Sequence, residues 1–352
     1  MKLFSPLRIR EIELKNRIVV SPMCEYSAKD GHPQTWHLVH LGSRAIGGAG
    51  LVFTEASAVE ERGRISSVDT GIYEDAHVES WRPIVEFIRA HGAVPGMQLA
   101  HAGRKASTAP PWIGGKPVAV KEGGWQPVGP SALAFDSGYT VPRELSVREI
   151  GEIVGAFQKS AERALTAGFE VIEIHAAHGY LLHQFLSPLS NTRTDEYGGN
   201  LENRIRLTAQ VVRAVREVWP QRLPLFVRIS ATDWKEGGWD LAQTIALARE
   251  LKPLGVDLID ASSGGTALGV KVPLGPGYQT GFAEAIRKEA GIATGAVGMI
   301  TEPAQAETIL STEQADLVFL ARELLRDPYW PRRAAKALDA KIKAPVQYER
   351  AW

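Results

Sequence analysis

Two histidines and a tyrosine follow one apolar run near the middle of the chain. The run Val171–Ile174 predicts a buried strand, and His175, His178 and Tyr180 come directly after it. Gly179 and two alanines separate them, so the backbone can turn sharply and a flat ligand can approach closely. Neutral imidazoles and a phenol are hydrogen-bond donors at pH 7. The trio therefore suits a carbonyl oxygen that gains negative charge during a reaction better than it suits a metal ion.

Eight short apolar runs indicate the strands that would position such groups. They are Ile18–Val20, Leu51–Thr54, Gly96–Leu99, Val171–Ile174, Leu225–Ile229, Leu258–Asp260, Thr294–Val297 and Leu317–Leu320. Amphipathic helices are predicted between them at Trp81–Ala90, Ser146–Ala167, Leu201–Val218, Leu241–Leu251 and Glu302–Leu310. Ser146 followed by Glu149 is typical of a capping box.

Strands that alternate with helices over this length predict a single-domain α/β fold over residues 1–352, a (β/α)8 TIM barrel. A doubly wound sheet is the alternative, but no Gly-x-Gly-x-x-Gly turn follows an early strand. The Gly- and Pro-rich segment Ala109–Val141 predicts a long loop after the third strand. Loops of that length are usually functional, and we expect it to cover the site.

In a (β/α)8 barrel the chemistry lies at the carboxyl ends of the strands. Gly298 and the run Ser262–Gly265 offer backbone N–H groups there, and Arg322 offers a charged fork, which together predict a phosphate site. Gln98 can donate and accept at once, as an imide edge requires. Arg228 lies inside a strand and needs a partner if it is buried. A phosphate-tailed flat heterocycle fits this set, and FMN is such a molecule.

Composition excludes several classes of protein. The chain has 40 basic and 40 acidic residues, which argues against a nucleic-acid-binding surface. One cysteine, Cys24, cannot form an internal disulfide and fits a reducing compartment. No apolar run approaches a membrane span, and the first residues show no signal peptide. We therefore expect a cytoplasmic protein.

Several segments, in order along the chain, resemble the Old Yellow Enzyme family of FMN-dependent ene-reductases, and more narrowly the bacterial branch typified by YqjM and xenobiotic reductase A. They are Ser21-Pro-Met-Cys24, Gln98-Leu-Ala-His-Ala-Gly-Arg-Lys105, His175-Ala-Ala-His178-Gly-Tyr180, Ser187-Pro-Leu-Ser-Asn191, Arg193-Thr-Asp-Glu-Tyr-Gly-Gly199 and Arg322-Glu-Leu-Leu-Arg-Asp327. The resemblance covers nearly the whole chain.

The resemblance implies a role for each residue that matches. Tyr180 would give a proton to the substrate, and His175 and His178 would bind its carbonyl group. The residues implied for FMN are Ser21, Pro22, Met23, Cys24, Ala56, Gln98, Arg228, Gly298, Ala321 and Arg322. The residues implied for the substrate are Tyr26, Lys105, His175, His178 and Arg350, the last from the tail 340–352 of a neighbouring subunit.

The resemblance also implies the reaction. NADPH, or NADH in its place, would reduce FMN, and the reduced flavin would reduce the C=C bond of enones or maleimides, with nitro compounds as further substrates. A homodimer or homotetramer is implied. Two departures stand out: Ala321 occupies a position where close relatives have glycine, and the loop Ala109–Gln126, which contains Trp112 and Trp125, is longer.

Other functions fit the residues less well. A zinc site could use His175 and His178 with Glu173 or Cys24, but that ligand set is incomplete. A retaining glycosidase needs two carboxylates about 5–5.5 Å apart, and strands four and seven end in His175 and Gly298 instead. A flavin-storage protein would not need Tyr180. A dienoyl reductase with an iron–sulfur cluster would need several cysteines.

Overall fold

The computed structural model describes residues 1–352, and its central feature is a closed barrel of eight parallel strands, so the predicted (β/α)8 fold is confirmed. Each strand pairs with the next, and the last pairs with the first. The strands are β1 Ile18–Val20, β2 Leu51–Ala58, β3 Val94–Ala100, β4 Val171–Ala176, β5 Leu225–Ser230, β6 Leu258–Ser262, β7 Ala293–Val297 and β8 Leu317–Leu320. All eight predicted strands are present, and β1 and β8 have the predicted bounds.

Ten helices connect or follow the strands. They are α1 Thr35–Gly47, α2 Ala76–Ala90, α3 Val147–Ala167, α4 Leu181–Leu186, α5 Leu201–Val218, α6 Leu241–Leu251, α7 Thr280–Ala290, α8 Pro303–Ser311, α9 Arg322–Arg326 and α10 Trp330–Ala337. The five predicted helices are among them. The capping box at the start of α3 is also confirmed, since Ser146 accepts from the Glu149 N–H and the Glu149 carboxylate accepts from the Ser146 N–H.

The sequence analysis did not predict α1, α4, α7, α9 or α10. The two longest of these, α1 and α7, were missed for different physical reasons. The buried face of α1 carries His37, His40 and Arg44 beside Leu41 and Ala45, so polar side chains interrupt its apolar stripe. The buried face of α7 is built largely from small residues around Ile286, so its hydrophobic signal is weak. Both helices are therefore fixed by what they pack against.

The lower half of the barrel interior is filled by apolar side chains, which we call the interior plug. Phe53, Phe226 and Phe319 form its centre, with ring centroids 6.0 and 6.2 Å apart. An N-terminal hairpin, Leu7–Ile9 with Ile12–Leu14, closes the barrel from below and packs against this plug. Polar chemistry is consequently confined to the upper end, where the strands finish.

The segment predicted as a long loop, Ala109–Val141, is mostly irregular in the structure. It contains two single turns of 3-10 helix, Pro111–Ile113 and Val120–Glu122. Val128–Gly129 pairs with Arg143–Glu144 at its far end. None of the helices in the fold has the length and apolar character needed to cross a membrane.

Removing one ring of the interior plug should destabilise the barrel. Phe226 is fully buried, and Phe226→Ala is expected to lower the free energy of unfolding by about 3–5 kcal/mol, because the cavity cannot collapse inside a closed barrel. Urea unfolding followed by tryptophan fluorescence measures the change. The matched control is Ile113→Ala, whose side chain is 69% exposed. Equal losses in both variants would contradict the role of the plug.

Candidate active site at the carboxyl ends of the strands

His175, His178 and Tyr180 are brought together above the end of β4. The His175 ring lies 5.1 Å from the His178 ring and 5.2 Å from the Tyr180 ring, measured between centroids. His175 is the fifth residue of β4 and points into the barrel, on the same side as Val171. Tyr180 immediately precedes α4. The turn between them gives His178 a φ of +58°.

The environment keeps these three groups uncharged. Burial lowers the pKa values of His175 and His178 well below their usual range, and the nearby Arg228 guanidinium lowers them further. Burial raises the pKa of Tyr180 well above its usual range. His178 Nε2 lies 2.7 Å from Ser262 Oγ, whereas the buried His175 Nδ1 has no hydrogen-bond partner in the protein. The arrangement is a set of neutral hydrogen-bonding side chains at the carboxyl end of β4.

Lys105 locks the backbone beside these groups. Its Nζ donates to the carbonyl oxygens of His178 and Gly265, at 2.8 and 3.2 Å. The two loops touch so closely that a Cβ on Gly265, where φ is +95°, would lie 2.5 Å from the His178 backbone. The ammonium also lies 4.8 Å from the centre of the Tyr180 ring, and burial lowers the pKa of Lys105 to about 8. Lys105 therefore joins three strand ends at the predicted substrate pocket.

The segment after β1 forms another wall of the site. Cys24 and Tyr26 pack with Tyr180 around a small apolar cluster, and burial raises the pKa of the Cys24 thiol, which therefore stays protonated. The long loop reaches this wall, because Trp125 joins the same cluster and Trp112 meets the Tyr26 ring edge-on at 5.8 Å. The sequence analysis predicted that this loop covers the site, but it did not predict the contacts of its two tryptophans.

A buried pair that the sequence analysis missed supports this wall. One oxygen of Glu55 accepts from the Glu25 N–H at 3.0 Å, and the other lies 2.9 Å from His37 Nε2. The side chains of Glu55 and His37 are almost completely buried, with 1% and 2% of their surfaces exposed. The pair fixes the turn that presents Cys24. Finding it from sequence would have required α1, which the hydrophobic pattern does not show.

Polar side chains form a layer across the barrel interior, directly above the plug. Gln98 Nε2 donates to Glu173 Oε1 at 2.7 Å, and Arg228 Nε lies 2.9 Å from Asp260 Oδ2. The expected partner of the buried Arg228 is thus supplied partly by Asp260, which the sequence analysis missed. The Arg228 N–H does not point at that oxygen, so no hydrogen bond forms. Arg228 and the Gln98 amide oxygen both remain able to bind a ligand.

The residues predicted to hold a phosphate line one cavity of about 460 Å³ beside β7 and β8. Gly298, Ala321 and Arg322 all contribute to it, as does Ser262. A Cβ on Gly298, where φ is +122°, would come within 2.9 Å of the Gln279 amide nitrogen. Glycine therefore keeps this cradle open. Gly265, which was expected here, lies against His178 instead.

These observations fit FMN. Phosphate suits the cavity with Arg322, and an imide edge suits the free amide oxygen of Gln98. The buried Ser21 Oγ and His175 Nδ1 also have no hydrogen-bond partner in the protein, so both can bind a ligand. Ser21, Pro22, Met23 and Cys24 follow β1, and Ala56 lies in β2 opposite Gln98.

The tail arginine and the zinc alternative from the sequence analysis can also be compared with the structure. Arg350 lies in a 3-10 segment of the tail, Val346–Ala351, where it is exposed and forms no hydrogen bond or ion pair within the chain. The histidines of the zinc alternative do not form a ligand cluster with Glu173 or Cys24. The one group of three ligand-type side chains within 4.8 Å is His32, Glu74 and His77, and His77 Nε2 already lies 3.1 Å from the Asp30 carbonyl oxygen.

Comparison with known proteins agrees with an FMN-binding barrel. The model of the NADH:flavin oxidoreductase / NADH oxidase family matches residues 2–341. An NADPH dehydrogenase of Bacillus licheniformis is 52% identical over 353 residues, covering 100% of this chain and 99% of that protein. The structure of morphinone reductase is 30% identical with a TM-score of 0.81, covering 97% of this chain and 91% of that one. An Old Yellow Enzyme homologue from Zymomonas mobilis is 28% identical with a TM-score of 0.78, covering 98% and 95%.

The barrel and its flavin-type site thus define an FMN-dependent oxidoreductase, as the sequence predicted. The chain belongs to the NADH:flavin oxidoreductase / NADH oxidase family, and its similarity to NADPH dehydrogenases and to an Old Yellow Enzyme homologue confirms the resemblance drawn from its motifs.

Loss of the Arg322 side chain should weaken the binding of FMN more than the binding of riboflavin, because only FMN carries the phosphate. A charge-assisted hydrogen bond contributes about 1.5–3 kcal/mol, which is roughly a tenfold to a hundredfold change in Kd. Flavin fluorescence titration of Arg322→Ala measures both ligands. Arg333→Ala, which removes an exposed arginine outside the cavity, is the control. Parallel weakening of both ligands by Arg322→Ala would show that Arg322 does not bind the phosphate.

Proposed function

We propose that this protein is an ene-reductase that reduces the C=C bond of α,β-unsaturated carbonyl compounds at the expense of NADPH. The observation that carries the proposal is the pair of neutral imidazoles beside a protonated phenol at the rim of the barrel. When bound, FMN supplies the hydride. The NADPH dehydrogenase names of the relatives support NADPH as the reductant, with NADH as the alternative.

His175 and His178 are assigned to the substrate carbonyl oxygen. That oxygen gains negative charge as hydride reaches the β-carbon, so the two donors bind the transition state more strongly than the ground state. Neutral imidazoles can donate here without carrying a charge into a buried site. By analogy with other oxyanion donors, losing one would cost about 2.7–4 kcal/mol of transition-state stabilisation.

Tyr180 is assigned as the proton donor to the α-carbon. Its phenol stays protonated because burial raises its pKa, and an enolate carbon is basic enough to take the proton in the transition state. The Lys105 ammonium over the ring face would steady the charge that develops on the phenolate oxygen. Tyr26 and Lys105 then shape the pocket in which the substrate lies.

The residues that we assign to FMN would act as three groups. Gly298, Ala321 and Arg322 would hold the phosphate in the cavity beside β7 and β8. Gln98 and Arg228 would meet the pyrimidine edge from the interior layer. The remaining wall is the segment Ser21–Cys24 with Ala56, in which the Cys24 thiol would tune the redox behaviour of the flavin.

Enones, maleimides and nitro compounds are the substrates we assign to this site, and the name of morphinone reductase supports a ketone-bearing substrate. We place the protein in the cytoplasm as a homodimer or homotetramer, in which the tail 340–352 of one subunit brings Arg350 to the site of its neighbour. The exposure of Arg350 in the isolated chain supports that arrangement.

Replacing the proton donor should separate the two half-reactions. In Tyr180→Phe, reduction of FMN by NADPH is expected to proceed at close to the wild-type rate, whereas reoxidation by cyclohexenone should slow by roughly a hundredfold or more, in line with the loss of a general acid. Anaerobic stopped-flow absorbance measures each step alone. Tyr139→Phe is the matched control, because that tyrosine lies in the covering loop, where its ring meets the Phe135 ring edge-on. Unchanged reoxidation in Tyr180→Phe would remove Tyr180 from this role.

A further inference from the structure

Two carboxyl groups and one guanidinium share the barrel interior above the plug. Glu173 and Asp260 are completely buried, and Arg228 is 6% exposed. They lie on the adjacent strands β4, β5 and β6, with Arg228 directly opposite Asp260 in the register. The reaction assigned above uses only Arg228, so the two acids need a separate explanation.

The two acids are not equivalent in their contacts. Asp260 Oδ2 lies 2.9 Å from Arg228 Nε, so Asp260 is the ion-pair partner of the guanidinium. Glu173 Oε1 accepts only the neutral Gln98 amide, and Glu173 Oε2 has no hydrogen-bond partner. Nothing positively charged contacts Glu173 within hydrogen-bonding distance.

The charges around Glu173 determine whether its carboxyl group is protonated. The groups that face Glu173 are Gln98 from β3, His175 from its own strand, Arg228 from β5 and Asp260 from β6, and the plug below is apolar. His175 is neutral, so two ionised acids beside one guanidinium would leave a net negative charge sealed in the interior, which is costly. Burial, followed by the charge of Asp260, raises the pKa of Glu173, and Arg228 opposes that rise. Burial also raises the pKa of Asp260, where Arg228 is again the opposing charge, but only Asp260 lies in ion-pair contact with the guanidinium.

We propose that Glu173 keeps its proton at neutral pH, so that the layer holds only the Arg228–Asp260 pair and no additional negative charge opposes the stabilisation of the reduced flavin by the positive charge of Arg228. An ionised Glu173 would offset that charge and make the flavin harder to reduce. Glu173 is therefore a positioning residue, which orients the Gln98 amide and sets the charge of the layer beneath the flavin. The inference depends on FMN binding above this layer and not on which substrate is reduced.

The test compares Glu173→Gln with Asp260→Asn, since each replaces a carboxyl by an amide of nearly the same shape. Glutamine mimics a protonated Glu173, so Glu173→Gln should leave the midpoint potential of bound FMN near that of the wild type at pH 7. Asp260→Asn, made in the Glu173→Gln background so that Glu173 cannot ionise in its place, removes a true negative charge and should favour the reduced flavin at least tenfold, which is about 30 mV for a two-electron couple. Anaerobic titration against a reference dye measures both. A shift in Glu173→Gln as large as that in Asp260→Asn would overturn the proposal.

The pH dependence adds a second readout. Reduction places negative charge above the layer, which favours the protonated form of Glu173. Once alkaline pH ionises Glu173 in the oxidised protein, reduction must therefore take up an additional proton there. The potential of the wild type should then fall more steeply with pH, whereas that of Glu173→Gln should keep one slope throughout. Equal slopes in both proteins would contradict the assignment.

Infrared spectroscopy reports the carboxyl group directly, without a potential or a substrate. The wild-type protein at pH 7 should show a protonated-carboxyl C=O band that shifts in D2O and loses intensity in Glu173→Gln. If that variant does not fold, the wild type still decides, because the absence of any such band at pH 7 would overturn the proposal. None of these measurements involves an enone, so failure here and failure of the ene-reductase assignment are distinguishable.

Discussion

The site depends on the closure of eight parallel strands around an interior that changes character halfway up. Below, the phenylalanine plug excludes water and fixes the strands in register. Above, Gln98, Glu173, Arg228 and Asp260 replace the apolar side chains, and these groups cannot be satisfied by one another alone. A parallel barrel also brings every carboxyl end to one rim. The unsatisfied polar layer and the rim together create a place for a flat, polar-edged cofactor.

The loops at the rim are held by contacts that lie outside the reacting groups. The Glu55–His37 pair fixes the turn after β1, and Lys105 ties the turn after β4 to the turn after β6 through backbone carbonyls. Such supports explain how irregular turns can present His178 and Cys24 in fixed positions. Catalytic groups need that fixed geometry, because donors that must reorganise during the reaction stabilise less.

The barrel could be predicted because its strands are continuous apolar runs and their spacing leaves room for helices between them. Residues such as His175 and Arg322 could be predicted as site residues, because they lie at the ends of those apolar runs. The helix α1 could not be predicted, because three of its buried side chains are polar and find their partners on other elements. Asp260 was overlooked since one acid inside a strand shows no pattern, and its meaning comes from Arg228 across the strand pair. The positions of Trp112 and Trp125 depend on loop packing, which no local periodicity describes.

The measurement that tests the account most directly is the visible absorption spectrum of the purified protein, recorded before and after anaerobic addition of NADPH and then of cyclohexenone. The account predicts two flavin bands that bleach with NADPH and return with the enone, because the proposed reaction passes hydride from reduced FMN to an activated C=C bond. Bands that bleach but do not return with the enone would contradict the proposed substrate class. A protein that neither takes up FMN nor bleaches would contradict the account of the site itself.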